Sequence, residues 1–240
     1  MSELPGRAGL WFSAEHATAR VAPEAKGVMG GMVRPDHRAF DSGAGELAVY
    51  LGKRLGVPVL LGSVTRQVVD LNRSLTNRRS LWGTKLRTAP PDLKQEILKR
   101  YYLPYREAAL RGIRAVTSRS PFAVHIAVHS FTPVRAGCVR RVDIGLLYDS
   151  RRVSENRFCL RLQKAILHRN PQWRVRFNQP YRGSSDSLVK ELRSSLGPGY
   201  LGIELEINQR LVRQSGRAWL GLKRVLVEAL SETVGSERFL

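Results

Sequence analysis

The sequence predicts an α/β domain built as a three-layer, mixed or largely parallel sheet with helices on both faces. Short apolar runs alternate with segments whose apolar residues recur at helical spacing, the order expected of strand–helix units. One run, Phe122-Ala123-Val124-His125-Ile126-Ala127-Val128-His129-Ser130, is almost continuously apolar, as a strand buried on both faces reads. Polar clusters close several runs: Glu15-His16 after Leu10-Trp11-Phe12, Asp70-Leu71-Asn72-Arg73 after Val68-Val69, His129 itself, and Glu204-Leu205-Glu206 after Leu201-Gly202-Ile203. In open α/β sheets ligands bind outside the carboxyl ends of the strands, so these clusters point to one shared site. The 240 residues are expected to form one domain, 1–240, with a helical insertion at about 75–115.

The elements follow in order. Leu10 to Ser13 reads as the first strand. From Ala44, apolar residues at Leu47, Ala48, Leu51 and Leu55 keep helical spacing until Gly56 ends it. Val57–Leu61 and Val64–Leu71 read as strands, with Pro58 confined to a strand start or edge because it cannot donate to a ladder. Residues 75–90 read as a mobile loop. Residues 91–115 read as an amphipathic helical stretch that Pro104 interrupts. After Phe122–Val128 come a Gly/Pro/Arg loop and a strand from Val142 to Tyr148. Phe158, Leu162, Ala165 and Ile166 then mark a helix, and Trp173–Phe177 a strand. Ser185 or Asp186 is placed to cap a short helix ending at Leu196. Tyr200–Ile207 is the last strand and Trp219–Val234 the closing helix.

Charge and cysteine content narrow the function classes. Lys and Arg number 40 against 20 Asp and Glu, a formal charge of +20 that favours anionic partners. The basic residues are dispersed in short groups such as Arg78-Arg79, Arg140-Arg141 and Arg151-Arg152, without a nucleic-acid-binding signature. A nucleic-acid or polyanion binder on an inactive enzyme scaffold is therefore the alternative, not the favoured reading. No apolar run is long enough to span a bilayer, and no signal peptide is expected. Two cysteines, Cys138 and Cys159, provide neither a disulfide framework nor a cysteine zinc site, which fits a cytoplasmic protein.

The strand-end residues suit metal-assisted hydrolysis. Catalytic zinc takes three protein ligands from His, Asp or Glu and keeps a position open for water. His16 and His129 are the histidines so placed, and Glu15, Asp41, Glu204 and Glu206 are acidic candidates. Glu204 and Glu206 are two apart, so on a strand they share a face and repel unless a cation or proton separates them. His125 is expected to pack within the sheet.

Several motifs occur in order: Ala14-Glu15-His16-Ala17, Asp36-His37-Arg38-Ala39-Phe40-Asp41-Ser42-Gly43-Ala44, Thr65-Arg66-Gln67-Val68-Val69-Asp70-Leu71-Asn72-Arg73, Val128-His129-Ser130 and Asn178-Gln179-Pro180-Tyr181. With Gly202 to Val212, this set resembles the N-formylglutamate amidohydrolase family from about residue 10 to 212. The Asp-Leu-Asn-Arg element is also similar to aspartoacylases and other zinc carboxypeptidase-like hydrolases. The resemblance implies a phosphorylase/hydrolase-like fold and a Zn2+-dependent amidase acting on a small N-acyl amino acid that carries a carboxylate.

Carried over residue by residue, the resemblance makes His16 and His129 metal ligands. The related carboxypeptidases use a His-x-x-Glu pair, but Ala19 stands at that position, so the third ligand is open among Asp41, His37 and Glu15, with Asp41 preferred. Arg73 and Asn72 would hold a substrate carboxylate, Arg66 would contribute a second cation or polarise the scissile carbonyl, and Asp70 would orient Arg73 or the turn. Glu206 is preferred as general base over Glu204. Arg176 and Tyr181 fall among the substrate-side contacts, beside Asn178 and Arg182.

Overall fold

The computed structural model describes residues 9–30, 38–214 and 216–235. Six strands form the main sheet: β1 (Gly9–Ala14), β2 (Val59–Leu61), β3 (Ala123–Phe131), β4 (Ile144–Leu147), β5 (Val175–Phe177) and β6 (Tyr200–Asn208). Their order is β2-β1-β3-β6-β4-β5. The first four in that order run parallel; β4 pairs antiparallel with β6, and β5 parallel with β4. The carboxyl ends of β1, β3 and β6 therefore share one edge with the amino ends of β4 and β5.

Side-chain alternation divides the core in two. Phe12, Val124, Ile126, Ile203 and Leu205 face helices α1 (Ala44–Leu55), α4 (Val153–Arg169) and α6 (Gly216–Gly235). Trp11, Ala123 and Tyr200 face the other way, against α2 (Pro91–Ile97), α3 (Leu103–Thr117) and α5 (Leu188–Leu196). The result is a mixed, mostly parallel sheet between two helical layers. No helix among the described residues is long and apolar enough to cross a membrane.

Several local expectations need correction. Val64–Leu71 is not a strand. Val64, Val68, Val69 and Leu71 are buried, but they reach the core from successive turns, and Val69 makes only an isolated antiparallel bridge to Trp82. Residues 75–90 fold in part into the helical turns Arg78–Leu81 and Thr84–Leu86. Pro104 does not end the helical stretch, but the α-helical pattern breaks just before it: a π-helical segment, Leu98–Tyr102, precedes the proline and runs directly into α3. Ser187, rather than Ser185 or Asp186, caps α5 by accepting from Lys190 N. Pro58 lies just outside the edge strand β2, and its carbonyl accepts from Phe12 N at 3.5 Å.

One glycine fixes how the loop after β5 meets the sheet. Gly145 on β4 lies between Glu206 and Arg176 in register, and a Cβ there would stand 2.1 Å from the Gln179 carbonyl oxygen. Gly145→Ala is accordingly expected to lower unfolding stability by about 1–3 kcal/mol through overpacking against backbone. Denaturant unfolding checks this, and an unchanged midpoint would contradict so close a crossing.

Candidate metal centre and active site

The site forms where β1, β3 and β6 end. β1 delivers Glu15 and His16, β3 delivers His129, and Glu206 is the register partner of His129 on β6. Two turns complete it. Asp41 N donates to the His16 carbonyl at 3.0 Å, and Ala44 N to the Asp41 carbonyl at 3.1 Å, so the Asp41 backbone is tied to the end of β1. Gly43, with φ +79°, makes that turn before α1 begins. The Thr65–Leu71 turns are pinned by Thr65 Oγ1 donating to the Ala39 carbonyl at 2.7 Å and Asp70 N to the Leu81 carbonyl at 2.8 Å.

These constraints bring His16, Asp41 and His129 together: one ligand atom from each lies within 4.8 Å of the others, and all three residues are buried. Asp41 Oδ2 is 3.3 Å from His16 Nδ1 and 3.0 Å from His129 Nδ1. The far ring nitrogens are also engaged. His16 Nε2 is 2.7 Å from Asp70 Oδ1, and His129 Nε2 is 3.0 Å from Glu15 Oε2. Glu15 thus meets the ring nitrogen of His129 that faces away from Asp41, and the three-residue group of close ligand atoms is His16, Asp41 and His129. His37, the other substitute, lies outside the described residues. Asp70 holds His16 as well as the turn, where its Oδ1 accepts from Asn72 N at 3.0 Å.

Burial and charge set the protonation states. Burial would raise the Glu15 carboxyl, but contact with His129 outweighs it and holds the group at about 2. Asp41 and Asp70 are likewise opposed by burial yet fall well below the usual carboxylate range, pulled down by His16 and Arg66, and at Asp41 by His129 too. His129 rises well above the ordinary imidazole value because Asp41 and Glu15 overcome its burial. Glu206 behaves oppositely. Burial drives it up to about 8, His129 opposing and the charges of Asp41 and Glu204 adding, and its Oε2 is buried without a hydrogen-bond partner.

Arg66 joins two of the carboxylates, with Nη1 3.4 Å from Asp41 Oδ1 and Nη2 3.1 Å from Asp70 Oδ2. Asn72 Nδ2 donates to Glu204 Oε1 at 3.2 Å, while its Oδ1 accepts from Leu188 N at 2.8 Å. Arg73 approaches Asp70 at 3.8 Å and donates to the Asp186 carbonyl. Arg176 and Tyr181 stand apart from the cluster. Arg176 donates to its own neighbour's carbonyl, at Val175, and Tyr181 pairs with Arg140. His125 is enclosed in the sheet between Ser13 Oγ and the Tyr200 hydroxyl, each 2.7 Å away.

Sequence reasoning missed Tyr105, whose hydroxyl donates to Glu15 Oε1 at 3.0 Å, and Tyr102, which donates to the Arg73 carbonyl at 2.7 Å. With Arg106, they occupy one face of a helix at i, i+3 and i+4. Polar-tipped side chains among apolar ones on that face were the available signal.

A family model described as N-formylglutamate amidohydrolase matches residues 8–213. The chain belongs to that family. Membership makes it a hydrolase acting on amide bonds. Two solved structures share the fold. A gene product of Agrobacterium tumefaciens has a TM-score of 0.74 at 23% identity, over 95% of this chain and 92% of that one. An N-formylglutamate amidohydrolase from Ralstonia eutropha has a TM-score of 0.66 at 18% identity, over 96% and 95%. No match was found among curated protein sequences.

For this family member, Tyr105→Phe removes a donor from a fully buried carboxylate and is expected to cost about 1–3 kcal/mol of stability. Denaturant titration measures it, and a neutral substitution would mean that Glu15 does not need the hydroxyl.

Proposed function

We propose that this amidohydrolase depends on zinc and removes the acyl group from an N-acyl amino acid bearing a carboxylate, N-formylglutamate or a close analogue. The observation that carries the reading is the pairing of each imidazole: Nδ1 toward Asp41, Nε2 toward a buried carboxylate. Two imidazole nitrogens and one carboxylate oxygen match the catalytic zinc donor set, and a carboxylate on the far nitrogen is the usual device that fixes a ligating histidine. His16, Asp41 and His129 would hold the ion. A bound divalent cation supplies Lewis-acid charge that polarises an amide carbonyl and acidifies water.

The remaining work falls to the chain's own groups. Glu206 has the unpartnered buried oxygen, whereas Glu204 is engaged by Asn72, so Glu206 is the better proton carrier. It takes a proton from the attacking water and returns it to the leaving amine. Arg73 offers a planar fork to the substrate carboxylate beside Asn72. Arg66, spanning Asp41 and Asp70, holds both carboxylates in place and presents cationic charge toward the scissile carbonyl. The substrate is a small molecule. Cys138 and Cys159, both free, support a reducing compartment such as the cytoplasm.

Elemental analysis of the purified protein should find stoichiometric zinc, and His129→Ala should lose both metal and amidase activity. Full activity in that variant would reject the ligand assignment. Glu206→Gln should keep the metal while kcat falls by roughly 100- to 10,000-fold. If Glu204→Gln instead shows that loss and Glu206→Gln does not, the two carboxylates exchange roles.

A further inference from the structure

Three fully buried polar side chains in the middle of the sheet take no part in the chemistry described so far: Ser13 on β1, His125 on β3 and Tyr200 on β6. They form one line across the strands. Ser13 Oγ is 2.7 Å from His125 Nε2, and the Tyr200 hydroxyl is 2.7 Å from His125 Nδ1. The sequence makes room for this line. Gly202, the register partner of His125, lies against the Tyr200 ring, and a Cβ there would stand 2.9 Å from the hydroxyl oxygen. Trp11 meets the imidazole edge to face, with ring centres 4.8 Å apart. An apolar trio of similar shape would pack here with no donors to satisfy, so the polar groups need a partner that uses them.

That partner is Glu15, which follows Ser13 by two at the end of β1. Contact with His129 and a side-chain hydrogen bond from Ser13 are among the interactions that hold the Glu15 carboxyl low against its burial. Ser13 also bonds the Tyr105 hydroxyl, which itself donates to Glu15 Oε1 at 3.0 Å. The single Ser13 proton therefore reaches Glu15 directly or through Tyr105. The rest of the line has one direction that strands no proton. Burial pushes the His125 imidazole down to about 4, so it is neutral, with one N–H and one lone pair. Among the described residues, the Tyr200 hydroxyl has His125 as its hydrogen-bond partner. With Tyr200 donating to Nδ1, His125 donates from Nε2 to Ser13, and Ser13 donates toward Glu15. Reversed, His125 would donate to Tyr200, whose own proton would be buried without an acceptor, the costlier arrangement.

We propose that Tyr200, His125 and Ser13 are positioning residues of the metal centre, a line of donors that aims the Glu15 carboxylate at His129. The inference rests on the zinc reading above and adds the groups that act on one ligand from inside the sheet. Glu15 Oε2 stands 3.0 Å from His129 Nε2, and a metal on Nδ1 leaves the ring proton on Nε2, so Glu15 is the outer partner that orients this histidine. A carboxylate offers several lone pairs and can turn from one donor to another. Donors arriving from Ser13 and Tyr105 occupy part of that capacity and leave Oε2 facing the imidazole. His16 is supported differently: its outer partner, Asp70, is held by Arg66 and by Asn72 N. One histidine is thus steadied through the sheet core and the other through the turns at the sheet edge, so the two can be perturbed separately.

The test titrates metal-free protein with Zn2+ in competition with a chromophoric chelator, for wild type, Ser13→Ala and Tyr200→Phe. Ser13→Ala should weaken Zn2+ binding by about 10-fold, the lower end of what losing an outer partner costs, and Tyr200→Phe should weaken it by less. Ser13→Thr and Ser13→Val add nearly equal bulk and differ in the hydroxyl. The threonine variant should bind Zn2+ more tightly than the valine variant, which separates the hydrogen bond from packing. Proton NMR of the Co2+-loaded proteins supplies a readout that a packing defect does not select: the His129 Nε2–H resonance should move in Ser13→Ala and Tyr200→Phe while that of His16 stays. Wild-type Zn2+ affinity in both of these variants, or equal displacement of the two imidazole resonances, overturns the proposal and leaves the zinc reading standing. Failure of the wild-type protein to bind either Zn2+ or Co2+ overturns the zinc reading, and the positioning role with it.

Discussion

His16 and His129 each present one ring nitrogen to Asp41 and the other to a buried carboxylate, Asp70 in one case and Glu15 in the other. Carboxylate oxygens only accept, so both ring nitrogens of each histidine donate and the double pairing fixes ring orientation; a metal on Nδ1 would leave the proton on Nε2, facing Asp70 or Glu15. The surrounding structure serves that constraint. Tyr105 on α3 supports Glu15 from one helical layer, Arg66 bridges Asp41 and Asp70, and the backbone bond from Asp41 to His16 closes the turn. Buried carboxylates are costly without compensation, and five lie in this site: Glu15, Asp41, Asp70, Glu204 and Glu206. A divalent cation held by His16, Asp41 and His129 would relieve much of that cost.

The strand order explains why the chemistry gathers at one edge. β1, β3 and β6 are parallel neighbours at or near the sheet centre, and their carboxyl ends bring Glu15, His16, His129 and Glu206 side by side. Reversal of β4 and β5 brings their amino ends to the same edge, carrying Asp143 and Arg174. One mixed sheet therefore brings Asp143 and Arg174 to the same edge as the polar cluster, whose charges are compensated internally.

Much of this was legible in the sequence, for physical reasons that vary by residue. Strands buried on both faces have an unmistakable apolar signature, so β3 and β6 and the polar residues closing them could be read directly. The convergence of His16 and His129 could be anticipated because each follows or ends a run that the fold class brings to one edge, whereas Asp41 was preferred only through the family resemblance, with His37 and Glu15 as alternatives. Val64–Leu71 misled because burial from turns and burial from a strand produce the same apolar content. The partners of Glu15 and Asp70 were not legible, since which side of an imidazole a carboxylate meets depends on backbone geometry at two distant segments. Ser187 shows the same limit on a small scale: three polar residues in a row could each cap α5, and only the chain's path selects one.

The most direct measurement is diffraction from crystals of the zinc-loaded protein at the zinc absorption edge. The account predicts one anomalous peak per chain in coordination contact with Nδ1 of His16, Nδ1 of His129 and an Asp41 carboxylate oxygen, with Asp70 and Glu15 still on the Nε2 atoms. A peak bound through Nε2, or located away from these three residues, would contradict it.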